Sequence, residues 1–267
     1  MITSTANKQL KYVSALMHRS KTRREERLFV AEGARMCGEI PDDRLAMLYL
    51  SESYAKTREG KQFAQRAQRV EYVSDEVFRS LSDTQSPQGV LALVRQFQYG
   101  IDDVTEGGVA GKPALLLILE HLQDPGNLGT MIRAGEGAGV TGILMDSGTA
   151  DIYNPKVIRS TMGSILRVPF VYAEDLGGTL DLLKERGIRL YAAHLEGKNT
   201  YDREDYCGKT GFLIGNEANG LSDGISAKAD GKVRIPMAGK VESLNAAMAA
   251  SVLLFEAARQ RRNESGA

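Results

Sequence analysis

From residue 113 onwards, short apolar runs alternate with stretches that have helical patterning. Strands that alternate with helices form a parallel sheet with helices on both faces, so we predict an α/β fold for this part of the chain. The closing segment SLNAAMAASVLLFEAARQRR is predicted to be a helix whose N-cap is Ser243. The predicted strands are LLLIL (115–119), GILMD (142–146), VPFVYA (168–173), RLYAAHL (189–195), GFLIG (211–215) and KVRIP (232–236).

The first hundred residues have a looser version of the same pattern. A helical period runs from about Ala6 to Arg19, and the apolar runs RLFVAEG, LAMLYLS, VEYV and GVLALVR follow it. Residues 99–113 contain four glycines, three acidic residues and a closing proline, so we expect a linker that is not apolar enough to pack. A chain of 267 residues has room for two domains. We predict a small α/β domain over 1–98 and a larger one over 113–267.

The composition excludes several classes of protein. Hydrophobic residues make up 42% and charged residues 25% of the chain, as in ordinary globular proteins. No run approaches the roughly 18 apolar residues that a membrane-spanning helix needs, and the first ten residues lack the apolar core of a signal peptide. Cys37 and Cys207 are too few for a disulfide framework. We therefore expect a cytoplasmic protein without a membrane partner.

Polar loops follow three of the predicted strands. Ligands of parallel α/β sheets bind beyond the carboxyl ends of the strands, so these loops are the first place to look for a site. Taken singly, each loop also has a purely structural interpretation: a turn, a helix cap by the asparagine at 127, or a solvated surface arginine. Together, three such loops at one sheet edge predict a functional site. The candidate polar residues are Asn127, Arg133, Glu217, Ser243 and Asn245.

Several other kinds of site are excluded. The glycine-rich GEGAG (135–139) comes at the end of a predicted helix, so we interpret it as helix termination at Gly139 and not as a phosphate loop. The histidines His18, His121 and His194 are not spaced as metal ligands, and we predict no metal site. His121 and His194 follow predicted strands and could border the site, with packing or a backbone hydrogen bond as the alternative.

Three motifs resemble the signature motifs of the SpoU (TrmH) RNA methyltransferases in order and spacing. They are N-x-G-x-x-x-R (Asn127 to Arg133), I-G-N-E-x-x-G-L-S (Ile214 to Ser222) and I-P-M-x-G-x-x-x-S-L-N (Ile235 to Asn245). The resemblance covers about residues 113–262. More loosely, RSKTRREERLFVAEG and LSDTQSPQGVLALV resemble the substrate-binding domain of rRNA-modifying members, which is similar to ribosomal protein L30e.

The resemblance implies an activity, a fold and an assembly. The activity is methylation of a ribose 2′-hydroxyl in structured RNA, first of all ribosomal RNA, with S-adenosylmethionine (AdoMet) as the methyl donor. The fold is a SPOUT-like parallel-sheet domain with a trefoil knot after a small L30e-like domain, and the assembly is a homodimer whose interface completes the site. The residues that it assigns to AdoMet binding are Gly215, Asn216, Ile235, Met237 and Leu244.

The resemblance also places Asn127, Arg133, Glu217, Ser243 and Asn245 around the reacting centre. A guanidinium stays protonated in almost any protein site, so Arg133 is a poor general base. We hypothesise that it grips an RNA phosphate and lowers the pKa of the 2′-hydroxyl electrostatically.

The first thirty residues contain seven basic residues and two acidic ones. Lysine and arginine supply the salt-dependent part of RNA affinity, so Lys21, Arg23, Arg24 and Arg27 are predicted to bind RNA, with a solvated helix face as the alternative. Transfer RNA is the alternative substrate. A non-catalytic RNA-binding or ribosome-assembly protein is a second function class. A nucleotide-dependent oxidoreductase is a third, and the absence of the glycine fingerprint that it requires argues against it.

Overall fold

A computed structural model describes residues 1–106 and 111–264. Backbone contacts divide them into two compact units. The first unit contains 1–97 together with 151–166, and the second contains 98–106, 111–150 and 167–264. Sequence patterning gave no indication that 151–166 packs with the first unit.

The helices and strands follow one another in close alternation along the chain. The helices are α1 (Lys8–His18), α2 (Ser20–Glu26), α3 (Ala34–Glu39), α4 (Glu52–Ala55), α5 (Arg58–Arg66), α6 (Asp75–Leu81), α7 (Ile101–Glu106), α8 (Pro125–Ala138), α9 (Pro155–Thr161), α10 (Leu176–Glu185), α11 (Asp223–Ser226) and α12 (Ala246–Glu264). The strands are β1 (Leu28–Glu32), β2 (Leu45–Ser51), β3 (Val70–Val73), β4 (Val90–Arg95), β5 (Leu115–Leu119), β6 (Gly142–Asp146), β7 (Phe170–Ala173), β8 (Arg189–Ala193), β9 (Asn199–Thr200), β10 (Thr210–Ile214) and β11 (Gly231–Arg234).

The first unit is built on a four-stranded sheet in the order β1-β4-β2-β3. Strand β4 runs antiparallel to β1 and β2, and β3 runs parallel to β2. Helix α1 begins after Asn7, whose side chain accepts from the backbone N–H of Gln9, and it buries Leu10, Val13 and Leu16 against the sheet. The predicted first helix and the four predicted strands of this region are therefore confirmed.

The second unit is built on a seven-stranded sheet in the order β7-β6-β5-β10-β8-β11-β9, with parallel pairing throughout. The central strand β5 is buried along its whole length, which explains its uninterrupted apolar sequence LLLIL. All six predicted strands are present, and the predicted parallel α/β sheet is confirmed. Strand β9 is two residues long and was missed because its sequence, Asn-Thr, has no apolar signal.

Part of the predicted linker is a helix. Val104 of α7 is fully buried, and the hydroxyl of Thr141 donates to its carbonyl oxygen over 2.9 Å. Val104 also packs tightly against Gly142, where an added Cβ would lie 2.2 Å from the Cβ of Val104. The linker prediction is wrong for 101–106 because Ile101 and Val104 are spaced to pack one helix face. Residues 107–110, also in the predicted linker, lie outside the described residues.

Helix α12 is the longest helix of the second unit and packs against α8. Across residues 1–106 and 111–264, no helix has both the length and the apolar character to span a membrane.

Candidate active site

The three motif loops meet through a chain of side-chain hydrogen bonds. The amide nitrogen of Asn127 donates to Glu217 Oε1 over 3.1 Å, and the amide nitrogen of Asn245 donates to Asn127 Oδ1 over 3.1 Å. The three residues follow β5, β10 and β11, whose carboxyl ends lie at one edge of the parallel sheet. All three side chains are half-buried or exposed, so this polar set faces a space that a ligand can reach. The prediction that these loops come together is confirmed.

Asn127 reaches Glu217 because it does not cap its own helix. Helix α8 is capped by Asp124, whose Oδ1 accepts from the backbone N–H of Asn127 over 2.7 Å, and Pro125 opens the first turn. The idea that Asn127 caps this helix is therefore wrong. Aspartate followed by proline at the first helical position is the stronger start signal, and it leaves the Asn127 amide free to act between loops.

The N-cap of α12 is Asn245 and not Ser243, so the predicted cap is wrong by two residues. Asn245 Oδ1 accepts from the backbone N–H groups of Ala247 and Met248 over 2.9 and 3.3 Å. The same side chain donates to Asn127, so it fixes the helix start and joins two motifs at once. Ser243 is exposed in the preceding loop, where its assigned place near the reacting centre stays a prediction.

The loop after β10 is closed by its own backbone. The N–H of Asn216 donates to the carbonyl oxygen of Gly220 over 3.0 Å, and the reverse bond is 2.9 Å long. A Cβ on Gly215 would lie 2.1 Å from the carbonyl carbon of Gly220, so the closure requires glycine at position 215. The Asn216 amide donates to the carbonyl oxygen of His121 over 2.8 Å, and its oxygen accepts from the backbone N–H of Ala218. The Asn216 side chain thus builds the loop, and AdoMet contact by these residues stays a prediction.

A buried carboxylate that sequence reasoning missed anchors the same loop. Glu120 directly follows β5 and is only 8% exposed. It accepts from the hydroxyl of Ser222 over 2.6 Å and from the backbone N–H of Ser222 over 2.8 Å. Ser222 belongs to the second motif, but the pairing of residues 102 positions apart leaves no periodic signal in the sequence. This pair holds the end of the loop after β10 against the end of β5.

Arg133 is exposed on α8, six residues and about 9 Å along the helix axis beyond Asn127. In the part of the chain that the structure describes, its guanidinium makes no hydrogen bond or ion pair. The side chain lies outside the hydrogen-bonded set formed by Asn127, Glu217 and Asn245, and its charge is open to an anion. Its assigned role stays a prediction.

The residues assigned to AdoMet fit such a molecule. Ile235, Met237 and Leu244 are half-buried in the loop after β11, and Leu195, in the loop after the neighbouring β8, is 63% exposed. At Gly239 the same loop is not packed against other residues, since a Cβ there would meet no heavy atom within 4 Å. Apolar side chains suit the adenine ring, and loop backbone groups suit the amino-acid tail.

The histidines at this edge have local roles. His121 adopts a left-handed backbone conformation with φ 52°, and its Nδ1 contacts the side chain of Asp146, which also accepts from the His121 backbone N–H over 2.9 Å. His194 Nδ1 accepts from the backbone N–H of Glu196 over 3.1 Å, which matches the backbone-bond alternative. Among the described residues, no cluster of His, Cys, Asp and Glu could hold a metal ion. Gly139 terminates α8 with φ 84°, as predicted.

One member of the basic stretch is not a surface residue. Arg23 is 3% exposed, its Nε and Nη2 donate to Asp151 Oδ2, and its Nη1 donates to the carbonyl oxygens of Leu16 and Met17. The prediction that Arg23 binds RNA is therefore wrong, because these contacts bury and occupy its guanidinium. Lys21, Arg24 and Arg27 are exposed, and their contact with RNA stays a prediction.

Two family models match the chain. The SpoU rRNA Methylase family matches residues 114–255, and the MRM3-like substrate binding domain matches residues 7–92. The chain belongs to the SpoU rRNA methylase family. The predicted family and its separate N-terminal substrate-binding domain are thereby confirmed, while the trefoil knot stays a prediction.

Curated relatives of this SpoU family chain are about one third identical to it over the aligned residues. RlmP of Bacillus subtilis, a 23S rRNA (guanosine(2553)-2′-O)-methyltransferase, is 31% identical over 183 residues, which are 68% of this chain and 70% of the relative. RlmB of Xanthomonas axonopodis, a 23S rRNA (guanosine-2′-O-)-methyltransferase, is 37% identical over 65% of this chain and 71% of the relative.

Solved SpoU structures match nearly the whole chain. AviRb from Streptomyces viridochromogenes in complex with AdoMet has a TM-score of 0.86 and 26% identity, covering 96% of this chain and 98% of its own. An AdoMet-bound rRNA methyltransferase from Sinorhizobium meliloti has a TM-score of 0.85 and 29% identity, covering 97% of each chain. These matches confirm the predicted SPOUT-like α/β architecture.

Proposed function

We propose that this SpoU family protein is an AdoMet-dependent methyltransferase that methylates a ribose 2′-hydroxyl of ribosomal RNA. The observation that carries the proposal is the hydrogen-bonded set Asn127, Glu217 and Asn245, which joins the three motif loops at one sheet edge. Support comes from the RlmP and RlmB relatives, which act on 23S rRNA, and from the AdoMet complexes of the structural neighbours.

AdoMet, when bound, supplies a methyl group that its sulfonium already activates, so the protein's main tasks are binding and alignment. Ile235, Met237 and Leu244 provide apolar contacts, and the closed loop at Gly215 and Asn216 provides backbone groups. Backbone groups must be rigid to select one orientation of bound AdoMet, and the Asn216 side chain supplies that rigidity by closing the loop.

The acceptor ribose is positioned by polar side chains beside that loop. Glu217 uses Oε1 to accept from Asn127, and within the described residues its Oε2 has no hydrogen bond and can accept from a ribose hydroxyl. Ser243 lies next to Asn245 in the third motif loop and adds a hydroxyl to this polar surface. Arg133 binds the adjacent phosphate and lowers the pKa of the 2′-hydroxyl through its positive charge.

We propose that the protein works as a homodimer. Helix α12 carries Met248 and Phe255, seven residues apart on one face and 60% and 48% exposed, with the half-buried Val252 between them. An apolar stripe of this kind suits a subunit interface. Light scattering tests this: Phe255→Lys should yield monomers, and Leu182→Lys, at an exposed leucine of α10, should leave the dimer intact. A monomeric wild-type protein would refute the dimer.

Three further expectations belong to the same proposal. Residues 1–98 and 113–267 are the substrate-binding and catalytic domains. Lys21, Arg24 and Arg27 contribute to RNA affinity. The enzyme works in the cytoplasm, in keeping with its bacterial rRNA methyltransferase relatives.

The proposal is tested by transfer of radiolabelled methyl groups from AdoMet into total RNA from cells that lack this enzyme. We expect label in large-subunit rRNA, recovered as a 2′-O-methyl nucleoside. Asn127→Ala and Glu217→Ala should lose most incorporation, whereas Asn263→Ala and Glu185→Ala, at exposed sites elsewhere, should retain it. Label in transfer RNA would favour the alternative substrate, and AdoMet binding without label in any RNA would favour a non-catalytic binder.

A further inference from the structure

A cavity of about 310 Å³ lies in the first unit, apart from the motif loops. Its walls come from the junction of β1 and α3, the loop before β4, and α9 with the residue that follows it. The volume is within the range of small-ligand pockets, which begins at about 300 Å³. The lining residues that matter here are Glu32, Met36, Gln88, Ile158 and Met162.

The carboxylate of Glu32 is only half satisfied. Its Oε1 accepts from the hydroxyl of Thr84 over 2.9 Å and from the hydroxyl of Ser82. Its Oε2 is buried without a hydrogen-bond partner among the residues that the structure describes. Buried acceptors without a donor are rare and carry a free-energy cost, and a ligand that donates an N–H removes that cost.

The same wall offers a donor. Gln88 Oε1 accepts from the backbone N–H of Ala34 over 2.7 Å, which fixes the orientation of the amide. In the described part of the chain no hydrogen bond uses its Nε2, so this group can donate to an acceptor in the cavity. Gln88 therefore presents a donor on the lining surface, and the unpaired Glu32 Oε2 lies just behind that surface, where a ligand reaches it once the carboxylate turns toward the cavity.

The remaining walls are apolar, and the rim carries two arginines that are each paired with a carboxylate. Met36, Ile158 and Met162 line the cavity, and Met162 is 41% exposed, which is high for a large apolar side chain. Thioether and aliphatic groups pack well against flat aromatic rings. Arg35 and Arg159 also line the cavity, and they form ion pairs with Glu39 over 3.7 Å and with Asp83 over 3.2 Å.

We infer that this cavity binds one unstacked nucleotide of the RNA substrate. The base lies between Met36, Ile158 and Met162, donates an N–H to Glu32 Oε2 and accepts from Gln88 Nε2. All four bases carry a donor beside an acceptor on the edge used for pairing, and single-stranded bases are the ones that proteins read in this way. Glu32, Met36 and Gln88 all lie within residues 7–92, which match the MRM3-like substrate binding domain, so the RNA substrate is the expected occupant. The inference rests on the proposed function, since it assumes an RNA substrate.

The test compares RNA hairpins that differ by one unpaired nucleotide. Fluorescence anisotropy measures the affinity of the full chain for a perfectly paired hairpin and for four hairpins with a single A, C, G or U bulge. We expect at least one bulged hairpin to bind about tenfold more tightly than the paired one, which is the effect of a hydrogen bond to a charged group. Glu32→Gln should remove this preference, and Glu76→Gln, at an exposed glutamate of the same unit, should keep it.

A second variant covers the case in which Glu32→Gln fails to fold, as judged by circular dichroism. Met162→Ala removes an exposed part of the apolar wall, and it should weaken bulge preference while leaving affinity for the paired hairpin unchanged. Equal affinity for paired and bulged hairpins, or an unchanged preference in both variants, would overturn the inference and leave the cavity to a protein ligand. AdoMet-dependent methylation is measured in parallel, so that failure of the proposed function, with no label in any RNA, is recognised separately.

Discussion

Arg23 provides a sharp test because its neighbour Arg24 has the same side chain in a different environment. Arg23 is 3% exposed and donates two hydrogen bonds to Asp151, of 2.9 and 2.6 Å, and two to backbone carbonyl oxygens, of 2.7 and 3.0 Å. Arg23→Met keeps the length of the side chain but leaves Asp151, 26% exposed, without its buried partner. Breaking a buried pair in this way costs about 3 to 5 kcal/mol, and the partial exposure of Asp151 favours about 3 kcal/mol.

The assay is urea denaturation followed by circular dichroism, together with the salt dependence of RNA binding. Arg24→Met is the matched control, and it should change the free energy of unfolding by less than about 0.5 kcal/mol. If Arg24 contacts phosphate, its replacement should reduce the slope of log affinity against log salt by about one, whereas Arg23→Met should leave that slope unchanged. Equal stability of the two variants, with the loss of slope in Arg23→Met, would show that Arg23 contacts RNA and does not stabilise the fold.

Three other predictions concern the second unit. Gly215→Ala places a Cβ 2.1 Å from the backbone of the closed loop and should weaken AdoMet binding at least about tenfold in a calorimetric titration. Gly224→Ala, whose Cβ meets nothing within 4 Å, should leave AdoMet affinity unchanged, and equal affinities of the two variants would contradict a closed loop that requires glycine at 215. Arg133→Lys cannot form a two-bond clamp on phosphate, so kcat should fall by about tenfold or more, and a wild-type rate with an unchanged pH profile would exclude the clamp. Burial raises the pKa of Tyr191 from 10.0 to about 12. Between these pH values the unfolded chain releases a proton that the folded chain retains, so the free energy of unfolding should fall as the pH rises. Tyr191→Phe should make this decline shallower, and identical slopes for the two proteins would contradict the raised pKa.

The parallel sheet was predictable because each of its longer strands is a short apolar run between helical stretches. Strand β5 shows this most clearly, with five apolar residues that are all buried. The linker prediction failed at Val104 because glycine and acidic content outweighed two apolar residues at helical spacing. The packing of 151–166 with the first unit depends on tertiary contacts, such as Arg23 with Asp151, which no local pattern indicates.

The candidate site was predictable as a set of loops and less so as a set of roles. Motif spacing named Asn127, Glu217 and Asn245, and the structure joins them by hydrogen bonds. The caps were misplaced because aspartate, serine and asparagine are all good N-caps, and only the folded backbone selects among them. Glu120 was missed because a buried carboxylate directly after an apolar strand has no sequence signature until its partner, Ser222, is brought near.

The central claim, transfer of a methyl group to one ribose hydroxyl, is most directly tested on a mapped RNA fragment and its deoxy counterpart. Once the labelled nucleotide is located, the fragment is synthesised with either a 2′-hydroxyl or a 2′-deoxy sugar at that nucleotide alone. We expect methyl transfer to the first fragment and none to the second, with comparable binding of both. Methylation of the deoxy fragment would place the methyl group on a base and exclude the ribose hydroxyl as the acceptor.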